Sequence, residues 1–299
     1  VASRLAPESD SLHLFLPTPG FLWIADRVKE RCGLPVTAVC LGETPDAGPE
    51  GLWPLLRQSL RFHGLRHLAA WVMPRSRFLC DRYLAGSPHA ADQLARAGCP
   101  VSKLAVSAPC LPDEPPPDAF SRELAARVAA RPTFLYLGHF LPNKGVDLLL
   151  DAFAGLPDRS TRLLLVWSGL GDLGDVERRV ARLGLGERCE VVGRQVHRST
   201  VMAAARAVVL PFRVSYGQVS PPIAFLEAMR AGAPAVVPSF PSVTSLRADG
   251  GAAFFAPGDA ASLTSALRGL LEEPRRAETM RTAAKDWYRS LEHGQAPLL

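Results

Sequence analysis

The stretch "FLYLGHFLPNKGVDLLLDAF", residues 134–153, changes its hydrophobic period part-way along, and that change decides the fold. Residues 134–137 form a continuous apolar run, which is typical of a buried strand. From Val146 onward the apolar residues recur at helical spacing, with two aspartates on the opposite face. The intervening "GHFLPNKG" has a glycine at each end and places Lys144 at the expected start of the helix. A strand that enters a helix through such a loop is a common site for an anion, often a phosphate.

The rest of the C-terminal part repeats this alternation of strand and helix. Near-continuous apolar strands separated by helices predict a parallel sheet covered on both faces, which is a doubly wound, Rossmann-like domain. Its ligands are expected beyond the carboxyl ends of the strands. Strands are predicted at 133–138, 162–169, 189–193, 207–212, 233–239 and 252–257, and helices at 119–131, 145–155, 172–184, 199–206, 221–231 and 259–272, before a C-terminal helix.

The N-terminal part alternates in the same way but is short for a Rossmann-like domain. No G-x-G-x-x-G motif follows an opening strand, so we expect this domain to lack its first strands. The proline-rich "LPDEPPPD", 111–118, suits neither helix nor strand and predicts a boundary between domains 1–117 and 118–299. Strands are predicted at 12–17, 34–43, 82–87 and 103–109, and helices at 21–33, about 52–72 and 88–98.

Length and composition indicate an ordinary globular protein. The 299 residues are 47% hydrophobic and 21% charged, and the net charge of +5 permits an anionic partner. Six scattered cysteines without a C-x-x-C pair make a zinc site or a disulfide framework implausible. "VASRLAPESD" has no apolar core of a secretory signal, and no apolar run reaches about 18 residues, so a cytoplasmic location is expected.

Two charged residues stand out at the strand–helix junctions. Lys144 is either a phosphate ligand or a solvated first-turn lysine, and by itself the second interpretation is favoured. Glu227 is a carboxylate among apolar neighbours in "PPIAFLEAMRAGAPAVV", which is costly to bury without a partner. Ribose hydroxyls would be suitable partners for it, and a glutamate that faces water is the equally weighted alternative.

Several segments, in order and spacing, resemble the donor-binding domain of the GT-B glycosyltransferases, specifically the retaining family 4. They are "GHFLPNKGVDLLLDAFAGL", "LLLVWSGLGD", "CEVVGRQV", "AVVLPF", "FLEAMRAGAPAVV" and "GGAAFFAPGDAASLTSAL", within residues 132–272. The N-terminal half resembles the later part of that family's acceptor domain more loosely. The resemblance implies two Rossmann-like domains, a nucleoside diphosphate held between them and no required metal ion or other cofactor.

The resemblance also implies roles for individual residues. Lys144 matches the lysine that neutralises the diphosphate, with His139 beside it, and Glu227 matches the glutamate that binds the ribose. Gly138, Gly169 and Gly171 match glycines that let the backbone approach the donor. The loop 217–223 matches the segment that lines the donor, in which we expect Gln218, Ser220 and Ile223 to contact the sugar or its phosphates.

Three positions depart from the family pattern. His139 stands where the family usually has arginine, Val219 where it has the first glutamate of a pair, and Leu41 about where it has a histidine. An active transferase that uses a UDP-, GDP- or ADP-sugar and an unknown acceptor is the first hypothesis. A degenerate or truncated protein that binds nucleotide or acts as a scaffold is the second, and a sugar-nucleotide epimerase lacks a convincing acid–base set.

The sequence bears on two further classes of partner, membranes and nucleic acids. The basic amphipathic stretch 55–77 could lie on an anionic membrane at the inner face, although an ordinary domain helix is the favoured interpretation. Nucleic acid is not expected as a partner, because the positive charge is spread out and no basic groove studded with aromatic residues is evident.

Overall fold

The computed structural model describes residues 10–44, 75–216, 219–248 and 250–292, and these fall into two compact units. The first contains the described residues of 1–109 and 215–222, and the second those of 110–214 and 223–297. The proline-rich residues 111–118 form neither helix nor strand and group with the second unit. The predicted boundary at 117/118 stays a prediction, and the predicted helix at about 52–72 lies outside the described residues.

The first unit is a four-stranded parallel sheet in the order β1-β2-β3-β4. Strands and helices alternate in this unit. The strand segments have near-continuous apolar residues, whereas in the helix segments the apolar residues recur at the helical period. Leu22, Ala25, Tyr83 and Leu94 belong to its buried core. The bounds are β1 Leu12–Leu16, α1 Leu22–Lys29, β2 Val36–Cys40, β3 Arg82–Ala85, α2 Pro88–Arg96 and β4 Leu104–Val106.

The second unit is a six-stranded sheet in the order β10-β9-β8-β5-β6-β7, with every pair parallel. The strands are β5 Thr133–Phe140, β6 Arg162–Gly171, β7 Cys189–Val192, β8 Ala207–Val209, β9 Ala235–Pro238 and β10 Ala252–Phe255. The helices are α3 Ala119–Ala129, α4 Val146–Ala154, α5 Leu173–Arg182, α6 Arg198–Ala204, α7 Ile223–Ala231, α8 Pro241–Thr244, α9 Ala260–Glu272 and α10 Pro274–Glu292.

The strand order of this unit fixes where a ligand is expected. The chain winds outward from β5 through β6 and β7 on one side and then restarts on the other side with β8. The point between β5 and β8 is therefore a topological switch point, where the loops that leave the two strands diverge and open a crevice. The loop after β5 belongs to the segment "GHFLPNKG", residues 138–145, which contains Lys144.

Small differences from the predicted elements have local causes. β6 continues two residues past its predicted end, because Gly171 pairs with Phe140 across an irregularity in the register. β8 ends at Val209, three residues early, since Pro211 has no N–H to give to a ladder. The short helix α8 was not predicted.

In the part of the chain that the structure describes, no helix is both long and apolar enough to cross a bilayer.

Candidate nucleotide-binding site

The loop after β5 is held in a fixed shape by the loop after β8. Lys144 ends a 3₁₀ turn, Pro142–Lys144, and Gly145 caps the start of α4 with φ +69°, a left-handed conformation that favours glycine. A Cβ on Gly145 would lie 2.0 Å from the carbonyl oxygen of Pro211, so a side chain is also sterically excluded. The backbone N–H of Arg213 donates to the carbonyl of Asn143 at 3.0 Å. Lys144 is therefore presented on a rigid junction at the switch point.

Lys144 is a half-buried cation and not a solvated first-turn residue. Its Nζ lies 4.5 Å from the centre of the Phe212 ring. Burial lowers the pKa of Lys144 to about 8. Retaining a charge at this point costs free energy, which a bound anion would recover.

His139 lies at the carboxyl end of β5 and shares the electrostatic environment of Lys144. Burial lowers its pKa, and the charge of Lys144 lowers it further. The hydroxyl of Ser168, on β6, lies 2.5 Å from His139 Nδ1. A hydroxyl that donates to Nδ1 leaves the proton of the neutral ring on Nε2, so His139 can still present one N–H to a ligand.

The three glycines of the predicted donor loops have different surroundings. A Cβ on Gly171 would lie 2.0 Å from the carbonyl oxygen of Phe140, so this glycine is required by the packing of β5 against β6. A Cβ on Gly169 would meet nothing within 4 Å, although its φ of +95° also favours glycine. Gly138 would bring a Cβ to 3.0 Å from the Tyr136 hydroxyl. Open space beside the backbone is therefore found at Gly169.

Glu227 is buried in α7, with 5% of its surface exposed, so it does not face water. Burial raises its pKa. Its ion-pair partner is Arg198, whose Nε lies 3.1 Å from Glu227 Oε1. Among the described residues, no donor forms a hydrogen bond with the Glu227 carboxylate. A buried carboxylate of this kind has unused acceptor capacity, which hydroxyl groups of a ligand could fill.

A cavity of about 590 Å³ in the second unit is lined by contact partners of His139 and Glu227, although neither of these two residues nor Lys144 lines it. Its apolar lining includes Leu137 of β5 and Val166 and Trp167 of β6. Ser168, the neighbour of His139, and Arg198, the neighbour of Glu227, also line it. Residues 112–116 form another part of the wall. The size suits a small-molecule ligand, which is typically held in a cavity of about 300–1,000 Å³.

The predicted contacts from the loop 217–223 are not all brought to this cavity. Ser220 is 2% exposed and groups with the first unit, where its hydroxyl donates to Glu43. Its N–H donates to the carbonyl of Leu41 at 2.7 Å. Ile223 is half-buried at the start of α7, and Gln218 lies outside the described residues. The roles predicted for these three residues stay predictions.

Sequence reasoning missed four residues of the site. Trp167 and Ser168 lie within β6 just before Gly169, and their place near the carboxyl end of a predicted strand could have indicated them. Glu114 lies in the segment that was interpreted only as a linker, and Arg198 opens α6 without any local pattern that pairs it with an acid. The structure links these last two through hydrogen bonds across 84 residues of sequence.

The sequence profile of the family "glycosyl transferases group 1" matches residues 120–287, more than half of the chain. The chain belongs to this family. It is 33% identical over 141 residues to phosphatidyl-myo-inositol mannosyltransferase of Mycobacterium leprae, covering 46% of this chain and 37% of that protein. It is 29% identical over 154 residues to alpha-D-kanosaminyltransferase of Streptomyces kanamyceticus, covering 50% of this chain and 39% of that protein. The matched region thus spans well under half the length of these relatives.

Solved structures resemble the chain over nearly its whole length. Sucrose-phosphate synthase from Thermosynechococcus elongatus has a TM-score of 0.71 at 19% identity, covering 97% of this chain and 71% of that one. Anabaena HepE, solved in complex with UDP, has a TM-score of 0.69 at 18% identity, covering 95% and 76%. WaaG, a glycosyltransferase of lipopolysaccharide biosynthesis, has a TM-score of 0.61 at 18% identity, covering 95% and 98%. At these identities the likeness shows the fold, and the predicted α/β fold of GT-B type with two parallel sheets is confirmed.

Proposed function

We propose that this chain transfers a sugar from a nucleotide-sugar donor to a hydroxyl acceptor, with retention of the anomeric configuration. The second unit would hold the donor's nucleoside diphosphate. Lys144 and His139 would bind the diphosphate, Glu227 the ribose hydroxyls, and the apolar part of the cavity the base. Membership of the glycosyl transferases group 1 family supports the class of reaction.

The observation that carries this proposal is the carboxylate of Glu227, which is buried beside a cation and accepts no hydrogen bond from a described residue. Two vicinal hydroxyls are a suitable complement to such a group, because an ionised carboxylate accepts through both oxygens. The second support is the pair of basic side chains, Lys144 and His139, at the switch point. A diphosphate there would stabilise the charged forms of Lys144 and His139, whose pKa values are both lowered in its absence.

These groups act on the departing half of the donor. In the transfer, the bond between the anomeric carbon and the diphosphate oxygen breaks while the acceptor oxygen bonds to the same carbon on the same face. The acceptor proton passes to an oxygen of the departing diphosphate, so no protein base is needed for the balance. Lys144 and His139 stabilise the negative charge that develops on the diphosphate, and one such contact is typically worth about 10²–10³ in rate.

The relatives suggest where to begin with ligands. HepE was solved with UDP and with UDP-glucose, so UDP is the first nucleotide to test, followed by GDP and ADP. One curated relative is named for transfer to phosphatidyl-myo-inositol, so a lipid headgroup joins glycans and small molecules among the candidate acceptors.

Peripheral contact with an anionic membrane and independence from metal ions also stay predictions. We expect EDTA to leave donor hydrolysis unchanged.

A second candidate function is nucleotide binding without transfer. Val219 and Leu41 favour it, because both are apolar at positions where the family pattern has a charged or a hydrogen-bonding side chain. Loss of those contacts would weaken the positioning of the sugar more than the binding of the nucleotide. Slow release of UDP from UDP-sugars by a chain that binds UDP tightly would support this alternative.

The test is calorimetric binding of UDP, GDP and ADP to the full chain and to Lys144→Ala and Glu227→Ala. A lysine–phosphate contact contributes roughly 1.5–3 kcal/mol, so Lys144→Ala is expected to weaken binding about tenfold to a hundredfold. Glu227→Ala should weaken binding of the free nucleoside as well as binding of its diphosphate, because both contain the ribose.

Two exposed residues provide matched controls. Lys285→Ala and Glu123→Ala remove the same charges from α10 and α3 without touching the cavity, so binding should be unchanged. If no nucleotide binds the wild type, or if both site variants bind as the wild type does, the proposed function is wrong.

A further inference from the structure

Arg198 lies between two carboxylates at the start of α6. Its Nε is 3.1 Å from Glu227 Oε1 and 3.4 Å from Glu114 Oε1. The Nε–H hydrogen bond is directed to Glu114, so Glu227 receives the charge of Arg198 without a directed hydrogen bond. One guanidinium therefore serves two acids that lie in different elements.

Glu114, in the proline-rich segment, holds Arg198 in place. The side chain of Glu114 is 12% exposed, and its Oε1 also accepts the backbone N–H of Arg198 at 3.1 Å. Its Oε2 accepts the N–H of Ser199 at 2.9 Å and the Ser199 hydroxyl. Burial by itself would raise the pKa of Glu114, but the hydrogen bonds from Ser199 and Arg198 outweigh it and lower the pKa to about 2. Glu114 is thus a permanent anion with a fixed orientation.

The protonation of Glu227 depends on these neighbours. Burial raises its pKa and is the largest influence; Arg198 is the largest influence in the opposite direction. A bound nucleoside diphosphate adds negative charge nearby, which would favour protonation of Glu227 further. A carboxyl group that is protonated accepts fewer hydrogen bonds, so ribose binding needs a cation at this place. The charged groups around Glu227 are Arg198 of α6, Glu114 of the segment 111–118 and Arg230 of α7, with His197 3.8 Å from Glu114.

We propose that Arg198 is a positioning residue of the nucleotide site: fixed by Glu114, it keeps the Glu227 carboxylate ionised and oriented to accept the ribose hydroxyls. This proposal rests on the proposed function for its ligand. It assigns a role in the site to the segment 111–118, which also lines the cavity and whose Leu111 and Pro112 carbonyls accept hydrogen bonds from Arg230.

The first measurement needs no nucleotide. The full chain, with glutamate labelled at the carboxyl carbon, is titrated between pH 4 and 8 by ¹³C NMR, and the Glu227 resonance is assigned from its loss in Glu227→Gln. An opposite charge at this range shifts a carboxyl pKa by roughly one unit or more, so Arg198→Gln should raise the Glu227 midpoint by that amount. An unchanged midpoint overturns the proposal.

Glu114→Gln separates two opposed effects of Glu114. The negative charge of Glu114 by itself raises the pKa of Glu227, whereas its hold on Arg198 lowers it. If Glu114 acts by holding Arg198, Glu114→Gln raises the Glu227 midpoint; a fall in the midpoint overturns the positioning role. This variant also keeps the proposal testable should Arg198→Gln fail to fold.

The second measurement is the Kd of UDP at pH 5.5 and 7.5. Arg198→Gln should increase the ratio of the Kd at pH 5.5 to the Kd at pH 7.5 severalfold over the wild type, because a larger fraction of Glu227 is then protonated at the lower pH. Arg194→Gln is the matched control: it removes a guanidinium from the same cavity wall, where Arg194 lies 4.2 Å from the Phe120 ring and 3.4 Å from Asp118. It should shift both Kd values alike and leave the Glu227 midpoint unchanged.

The outcomes distinguish the two proposals. If the wild type does not bind UDP, GDP or ADP, the proposed function fails, while the NMR titration still decides whether Arg198 sets the charge of Glu227. If nucleotide binds and Arg198→Gln weakens binding equally at both pH values with an unchanged midpoint, Arg198 is a direct ligand and the positioning role is wrong.

Discussion

Lys144 shows the cost of preparing a site for an anion. Burial lowers its pKa from 10.5 to about 8, so the unfolded chain takes up a proton that the folded chain lacks between these pH values. The wild type therefore gains stability as the pH rises through this window, and the full cost of the buried cation is present below it. We expect Lys144→Met to raise the Tm at pH 7 by removing this cost. The gain should shrink towards pH 10, as measured by thermal unfolding across pH 6–10.

The same variant should lose nucleotide affinity while it gains stability, which is the trade-off expected of a functional group that folding alone would not select. A Tm difference that is equal at pH 7 and pH 10 would show that buried charge is not its cause. Lower stability at both pH values would show that the contact with Phe212 outweighs the burial of the cation.

His139 stands where the family usually has arginine, so the effect of restoring an arginine can be tested. Because burial and Lys144 lower its pKa, the ring is neutral at pH 7.5, and a diphosphate must bring a proton with it to gain a second cation. A permanent guanidinium removes this need. We expect His139→Arg to tighten UDP binding about fivefold at pH 7.5 and to change it little at pH 5.5. Fivefold corresponds to roughly 1 kcal/mol, which is the advantage of a charge-assisted hydrogen bond over a neutral one.

His139→Gln serves as the neutral control for this comparison. It should match the wild type at pH 7.5 and bind UDP more weakly than the wild type at pH 5.5, where the wild-type ring can take up a proton beside the diphosphate. Titration of Glu227 affects all three proteins alike, so differences between them isolate position 139. Equal pH dependence in the wild type and both variants would exclude His139 from the diphosphate site.

Among individual site residues, the sequence predicted those that lie in continuous patterns and missed those that depend on tertiary contact. The apolar neighbours of Glu227 on one helix already indicated an unusual carboxylate, and the structure removes the alternative in which it faces water. Arg198 and Glu114 could not be paired from sequence, because 84 residues separate them and neither lies in a recognisable motif. Physical contact between elements, rather than propensity, determines such pairs.

The two glycines after β6 make a matched pair for testing the packing of that loop. Gly169 and Gly171 have φ values of +95° and +93°, so alanine is strained at either by about 1–3 kcal/mol. Only at Gly171 does a Cβ also clash with a neighbouring backbone, that of Phe140. We expect urea unfolding to show a clearly larger loss of stability for Gly171→Ala than for Gly169→Ala. Equal losses would mean that conformational strain alone accounts for both glycines.

The segment 111–118 shows what an element-level pattern can predict. Its prolines correctly excluded helix and strand, because they fix φ and lack N–H donors. They could not indicate that Glu114 accepts hydrogen bonds from the first residues of α6, which makes the segment part of a cavity wall. Local chemistry predicts the conformation of a segment, whereas the surface on which it packs depends on the rest of the fold.

For the whole molecule, the alternation of strands and helices was sufficient to predict two parallel-sheet units, and it gives the edge of the sheet at which ligands are expected. The order β10-β9-β8-β5-β6-β7 could be expected only by analogy, since hydrophobic period does not state which strands are neighbours. That order creates the switch point beside Lys144. The candidate site follows from topology as much as from its residues.

The most direct test of the account is a crystal structure of the full chain with UDP. We predict that the diphosphate lies within hydrogen-bonding distance of Lys144 Nζ and His139 Nε2, and that the ribose hydroxyls donate to the Glu227 carboxylate with Arg198 still held by Glu114. UDP bound elsewhere, or bound in the cavity with its ribose away from Glu227, would contradict the account.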